Sequence, residues 1–371
     1  MLQKFFQKYN ISSEDAIIVA CSGGPDSMYL LSETMRIHPK NRIIVAHFNH
    51  CLRGAESDGD EEFLRDFCEK HLIIFESTQA DITKIAQVNK KGIEETARIE
   101  RYAFLEQIRE KYKDLKEQES LEKGPHGLDK SFIRSGDMGS LSEKQASQGD
   151  VRDSTMNEET EFGAQTSHFA EIPILTAHHL DDSIETLLFN LIRGSKIHGL
   201  MGIPEQNGHT LRPFLGVSKT EILQKLTEEN ISFRIDSTNS NDVYLRNHLR
   251  LNIISEFERI NPEYRKNLAS FMNYMSELGT FIDAQVEIFL RGELFFQVED
   301  FQILSPFLQR EIVRYLYEKT NNGTIGLSEG GIAEIIRFIG DKGNYTRKEL
   351  GKLRLEKRNF RIFFNKNIEK E

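Results

Sequence analysis

Ala16-Ile-Ile-Val-Ala-Cys21 followed by Ser22-Gly-Gly-Pro-Asp-Ser27 is the stretch that decides the fold. A short apolar run that ends at glycines reads as a buried parallel strand, and Ser27 to Arg36 behind it reads as a helix. Glycines allow backbone N–H groups to converge on an anion, and the helix N-terminus adds its dipole. The hydroxyls of Ser22 and Ser27 can donate further bonds. No G-x-x-x-x-G-K-[ST] pattern occurs, so this is not a Walker loop. A Walker lysine holds the β and γ phosphates for γ-phosphoryl transfer; a turn without it need grip only a departing pyrophosphate. A plain tight turn with a capping serine is the bland alternative, but the order strand, SGGPDS, helix points to nucleotide binding.

Outward from this turn, strands are expected at Arg42 to Phe48, Leu72 to Phe75 and Pro173 to Ala177. Helices are expected at Ser57 to Lys70, Glu94 to Lys111 and Ser183 to Leu191. Alternation of this kind implies an α/β fold with a doubly wound parallel sheet. Ligands of such sheets bind at the carboxyl ends of the strands. Three polar clusters fall there: Ser22 to Ser27, His47 to Arg53 and His178 to Glu185.

Residues 114–170 break the rhythm. From Lys113 to Ala170 there are 12 acidic and 7 basic side chains and little apolar periodicity. Such a segment buries too little surface to offset its ordering entropy, which predicts a disordered, low-complexity insertion, with a lid as the alternative. Beyond about Arg250 the pattern turns helical, and Leu350 to Phe364 alternates basic and apolar residues as in a basic hairpin. The expected domains are therefore 1–248, interrupted by 114–170, and a smaller, mainly helical 249–371.

The 371 residues, 38% hydrophobic and 29% charged, suit a globular protein. The formal net charge of −10 argues against a general nucleic-acid coat. Charge is segregated, however, because Asp341 to Glu371 holds 10 basic and 5 acidic side chains. No apolar stretch approaches the ~20 residues that span a bilayer. The N-terminus lacks a signal-peptide core, so a cytoplasmic protein with no membrane partner is expected. Cys21, Cys51 and Cys68 form no C-x-x-C pair, so neither zinc nor an iron-sulfur cluster is expected.

Ala177-His-His-Leu-Asp-Asp-Ser-Ile-Glu-Thr186 carries the acid–base candidates. Asp182 and Glu185, three apart, share one helix face. Asp181 could simply cap the helix. His178 and His179 are adjacent and point apart, which disfavours a metal pair.

SGGPDS after a strand is the signature of the PP-loop ATP pyrophosphatases, which this chain resembles. Four further segments narrow the resemblance: His47-Phe-Asn-His-Cys-Leu-Arg53, Glu95-Thr-Ala-Arg98-Ile-Glu-Arg101-Tyr102, His178 to Glu185, and Asp236-Ser-Thr-Asn239 with Arg246-Asn247-His-Leu-Arg250. In this order they resemble the tRNA(Ile)-lysidine synthase family. Leu191-Ile-Arg193-Gly194, Gly199-Leu-Met-Gly202 and Leu211-Arg212-Pro213 add to the likeness, which covers most of residues 16–112 and 171–262.

The resemblance implies an adenine nucleotide α-hydrolase-like fold and a ligase. That ligase joins L-lysine to C2 of the wobble cytidine of tRNA(Ile) with anticodon CAU, through an adenylated tRNA, with ATP as co-substrate and Mg2+. It implies that Ser22, Gly23, Gly24, Pro25, Asp26, Ser27 and His47 hold ATP, with Asp26 also on the metal. Asp182, Glu185 and Arg101 would be catalytic: Asp182 as base for the amine, Glu185 to orient it, Arg101 on phosphate charge. Contacts to tRNA or substrate fall to Asn49, Arg53, Arg98, His178, Arg193, Arg212, Asp236, Asn239, Arg246, Asn247 and Arg250, and the 249–371 domain would bind tRNA. A homodimer is left open. The 114–170 insertion departs from the family pattern, and the end soon after the basic hairpin is expected of the family's shorter members. Another PP-loop activity, a tRNA thiolase or an amide-forming ligase, is the alternative, as is a non-catalytic nucleotide-binding module. The scattered cysteines speak against the thiolase and the carboxylates against the module.

Overall fold

The structure is a computed structural model that describes residues 1–52, 54–122, 172–234, 249–293, 295–321, 327–341, 343 and 345–366. The 114–170 insertion lies almost wholly outside the described residues, as do Arg53, Asp236, Asn239, Arg246 and Asn247. The chain forms two compact units, Met1–His179 with Glu205–Asn239, and Leu180–Pro204 with Ser240–Glu371.

The first unit holds α1 (Leu2–Lys8), β1 (Ile17–Ala20), α2 (Pro25–Ile37), β2 (Ile43–Asn49), α3 (Ala55–His71), β3 (Ile74–Gln79), α4 (Ile82–Asn89) and α5 (Ile93–Glu122). After the insertion come β4 (Ile174–Leu175), then β5 (Gln206–Asn207), β6 (Thr210–Leu211) and α7 (Lys219–Glu228); α6 belongs to the other unit. The sheet order is β3-β2-β1-β4-β6-β5, parallel except for β5. β1 pairs with β2 on one side and β4 on the other, with Ile18 opposite both Ile44 and Ile174. That central place explains its unbroken apolar run. Ile17 and Val19 pack with Met28 and Leu31 of α2, while Ile18 packs with Leu105 and Ile108 of α5. Both faces are covered, so no polar alternation is required.

The third strand lies further along than Leu72 to Phe75. Leu72 adopts a left-handed conformation (φ 57°), and α3 ends with Ile73 N–H on the Cys68 carbonyl. Turning off the helix uses up these residues, and pairing starts with Ile74. Within Met1 to Asn10, α1 (Leu2–Lys8) is a helix whose Leu2 and Phe6 are buried.

The second unit begins with α6 (Leu180–Ile192). Its Leu180, Ile184, Leu187 and Leu188 pack with Tyr264 and Met272. A π-helical turn (Leu249–Ile254) leads into α8 (Ser255–Ile260) and α9 (Tyr264–Leu290). The unit is not only helical. Residues β7 (Phe295–Gln297), β8 (Tyr345–Leu350), β9 (Leu353–Arg358) and β10 (Arg361–Lys366) form an antiparallel sheet in the order β7-β10-β9-β8. The basic hairpin is its centre, with Arg361 opposite Arg358. Burial alternates along β9, so Leu353, Leu355 and Lys357 point inward. Lys357 is 3% exposed and donates to the Ile339 carbonyl at 3.0 Å. Part of the tail's positive charge is therefore spent inside the fold.

Among the described residues no helix is long and apolar enough to cross a membrane.

Candidate functional site

The SGGPDS turn joins β1 to α2 and is braced from within. Ser27 Oγ donates to the Gly24 carbonyl at 2.9 Å and accepts from Ser22 N–H at 3.2 Å. The two serine hydroxyls lie 3.3 Å apart, and Gly24 N–H reaches Ser22 Oγ at 3.4 Å. Gly23 has φ 83°, a conformation that costs a residue with a Cβ about 1–2 kcal/mol. Its carbonyl accepts Arg234 N–H at 2.9 Å, while the Arg234 guanidinium bonds Asp60 at 3.1 Å. Pro25 occupies the first helical turn, where its missing N–H costs nothing. The serines thus shape the turn, and the helix N-terminus supplies the anion-seeking dipole.

His47, near the end of β2, is 4% exposed, and its Nδ1 lies 3.0 Å from the Cys21 carbonyl. A carbonyl only accepts, so Nδ1 carries the proton. Burial lowers the pKa of this imidazole, outweighing that bond and the nearby Glu61. The neutral ring is left with Nε2 as an acceptor, buried and without a partner among the described residues. Asn49 is 2% exposed, and its side chain serves the turn that follows: its Oδ1 accepts Cys51 N–H at 2.9 Å and its amide reaches Asp58 at 3.2 Å.

Asp26 lies in the first turn of α2. Its Oδ1 accepts from the ammonium of Lys219 at 2.5 Å and lies 3.7 Å from His179 Nε2. Lys219 opens α7, behind a capping box in which Ser218 and Glu221 exchange bonds.

Beyond β4 and on α5 the charge is positive. His178 Nδ1 lies 3.0 Å from Thr176 Oγ1. Burial, then Arg212, Arg101 and Arg98, push the His178 imidazole down to about 3, so it is neutral at physiological pH. Arg98 and Arg101 lie over the Tyr102 ring, at 5.7 and 5.6 Å from its centroid, and Arg212 reaches the Tyr102 hydroxyl at 3.4 Å. Burial, and the neighbouring Arg98, also lower Arg101. Among the described residues neither Arg98 nor Arg101 makes an ion pair. Three guanidiniums thus lie around a neutral imidazole.

In the second unit the carboxylates are paired. Glu185 is 4% exposed and accepts Arg250 Nε at 2.6 Å and Nη2 at 3.1 Å, a two-pronged ion pair. Asp182 Oδ1 lies 3.8 Å from the same guanidinium, and Asp181 accepts Arg265 Nε at 2.8 Å. Arg193 is exposed and stacks 3.8 Å over Phe189. Gly202 (φ 76°) passes so close to this segment that a Cβ would lie 2.4 Å from Ser183 Oγ and 2.6 Å from Met272 Sδ.

Sequence reading did not single out Lys219 or Arg234. Both lie outside recognisable motifs, although Ser218-Lys-Thr-Glu221 carries a capping-box signal that places a helix start there. Cys21 and Cys68 are buried, and burial pushes the Cys68 thiol up to about 12.

The PP-loop domain family matches residues 1–114 and 164–257, more than half of the chain. A tRNA(Ile)-lysidine synthase of Chlorobaculum tepidum is 31% identical over 327 residues, covering 84% of this chain and 80% of that protein. The chain belongs to the tRNA(Ile)-lysidine synthase family. Proteins of the same name from Parabacteroides distasonis and Bacteroides thetaiotaomicron are each 32% identical, over 281 and 275 residues, or 75% and 74% of this chain. The chain spans about half the length of these two relatives, 50% of each.

Proposed function

We propose that this chain joins L-lysine to C2 of the wobble cytidine of tRNA(Ile) with anticodon CAU, at the expense of ATP, in the cytoplasm. The observation that carries the proposal is the braced SGGPDS turn within one unit that also holds the Arg98–Arg101–Arg212 cluster. Together they offer a helix N-terminus for pyrophosphate and cations for phosphate charge.

In the first step the cytosine C2 carbonyl oxygen attacks the α-phosphorus of ATP, the bond to the bridging oxygen breaks, and pyrophosphate leaves. The turn receives pyrophosphate, and Arg101 balances charge as it develops. The His47 Nε2 acceptor suits a donor on the nucleotide. Asp26 is a carboxylate of the kind that holds Mg2+ together with phosphate oxygens rather than in an all-protein cage. The ion would neutralise phosphate charge there.

In the second step the lysine amine attacks C2 and AMP leaves. Free lysine has a pKa of ~10.4, so about one molecule in 2,500 is neutral at pH 7. A base is needed. Of the two carboxylates Asp182 is the more exposed, with 27% of its side chain accessible against 5% for Glu185. Glu185 is committed to Arg250, which suits an orienting role. Asp182 is the base in this reading, and Arg250 is a positioning residue for Glu185. The anticodon loop is single-stranded, so its base can be presented without opening a duplex. The basic strands β8 to β10 offer charge for the RNA backbone.

The test is pyrophosphate release and lysine incorporation with ATP, lysine and a panel of transcripts. Release that depends on the CAU transcript of tRNA(Ile) and lysine transfer to it are expected. Release that ignores the transcript, or transfer of another nucleophile, would overturn the reading.

A further inference from the structure

The SGGPDS turn has no cation of its own, and pyrophosphate leaves with several negative charges. We infer that Lys219, from the start of α7, is a catalytic residue that supplies the missing positive charge to the leaving pyrophosphate. The inference rests on the reading of the turn as a nucleotide site.

Three observations carry it. The Lys219 ammonium lies 2.5 Å from Oδ1 of Asp26, the second residue of the helix that the turn opens. It is therefore at the phosphate end of the turn, whereas the guanidinium cluster belongs to α5 and to Arg212, just past β6, with His178 beside it. Second, its backbone is pinned. Ser218 Oγ accepts Glu221 N–H at 3.2 Å and the Glu221 carboxylate accepts Ser218 N–H at 2.8 Å. Only the flexible four-carbon stem is left to move. Third, the ammonium keeps access to solvent, with 32% of the side chain exposed beside a carboxylate that is 29% exposed. An ion pair this open to solvent contributes little to stability, so anchoring α7 does not account for it.

In the step itself, the pair from the broken bond stays on the bridging oxygen and the acceptor oxygen takes its place on phosphorus. The ammonium donates hydrogen bonds to the departing oxygens and keeps its proton. It does for the leaving group what a Walker lysine does for a transferred phosphoryl group, but from a segment 193 positions along the chain from Asp26.

The experiment is calorimetric titration of the full chain with inorganic pyrophosphate, ATP and AMP, in EDTA and again with Mg2+. Lys219→Met should weaken pyrophosphate and ATP about 10–100-fold, the loss of one charge-assisted bond or two. AMP, which has no β-phosphate, should shift less than about twofold. Lys219→Arg should recover most of the loss. In EDTA the double variant Asp26→Asn/Lys219→Met should stay weak. Recovery in that variant would mean that Lys219 merely neutralises Asp26, and would overturn the inference. So would Lys219→Met binding pyrophosphate like the wild type, or losing AMP equally. A wild-type chain that binds none of the three ligands would overturn the nucleotide reading itself, and the role of Lys219 with it.

Discussion

Two groups of arginines, one in each unit, do opposite things. In the first, Arg98, Arg101 and Arg212 gather around a histidine that burial and their own charge keep neutral. In the second, Arg250 and Arg265 are each committed to a carboxylate, Glu185 and Asp181. Like charges held together cost folding free energy, which is in keeping with the phosphate-binding role proposed for Arg101. Opposite charges held together fix geometry before any ligand arrives. The first arrangement looks towards binding and the second towards positioning.

The largest expected effect isolates the carboxylate not committed in this two-pronged way. Asp182→Asn should slow amine attack by about 10²–10⁴, the usual scale of general base catalysis. Adenylation should persist, so AMP label should accumulate on the tRNA in a single turnover. If adenylation is lost as well, Asp182 belongs to the ATP step and the assignment of base fails.

Next comes a crossed pair of substitutions. Arg101→Met should lower kcat/KM for ATP by about 10²–10³, as for a lost oxyanion donor, yet leave the unfolding midpoint unchanged or higher because repulsion is relieved. Arg250→Met should do the reverse in stability, costing about 1–3 kcal/mol because the buried Glu185 loses a two-pronged ion pair. Adding Glu185→Gln should recover part of that loss. Urea titrations of the four proteins read this directly, and equal destabilisation by Arg101→Met and Arg250→Met would erase the distinction between the clusters.

The smallest effect is on pH. His38, His47 and His178 all have lowered pKa values, chiefly through burial. The unfolded chain then takes up protons that the folded chain refuses. Stability is complete above the unfolded value of ~6.5 and falls as pH drops below it, for His178 down to about 3. Thermal midpoints between pH 8 and 5 should decline, and His178→Gln should make the decline shallower. An unchanged slope would show that His178 titrates normally.

Much of this was legible from one dimension. AIIVAC reads as a strand buried on both faces and SGGPDS behind it as a turn opening a helix, because glycine conformations and the apolar run of a strand are local properties. Asp182 and Glu185 on one helix face followed from helical spacing alone. Partners did not follow. Lys219 meets Asp26 across 193 positions, and Arg250 meets Glu185 across 65. Neither spacing has a local signature, because such contacts are set by how helices and strands pack. The same holds for the tail, whose alternation announced a hairpin while pairing with β7 and β8 and the burial of Lys357 came from packing. The sequence by itself determined which elements carry the glycine turn and the Asp182–Glu185 pair. Only the tertiary structure decided which charge faces which, because electrostatic energy depends on distance in space and not along the chain.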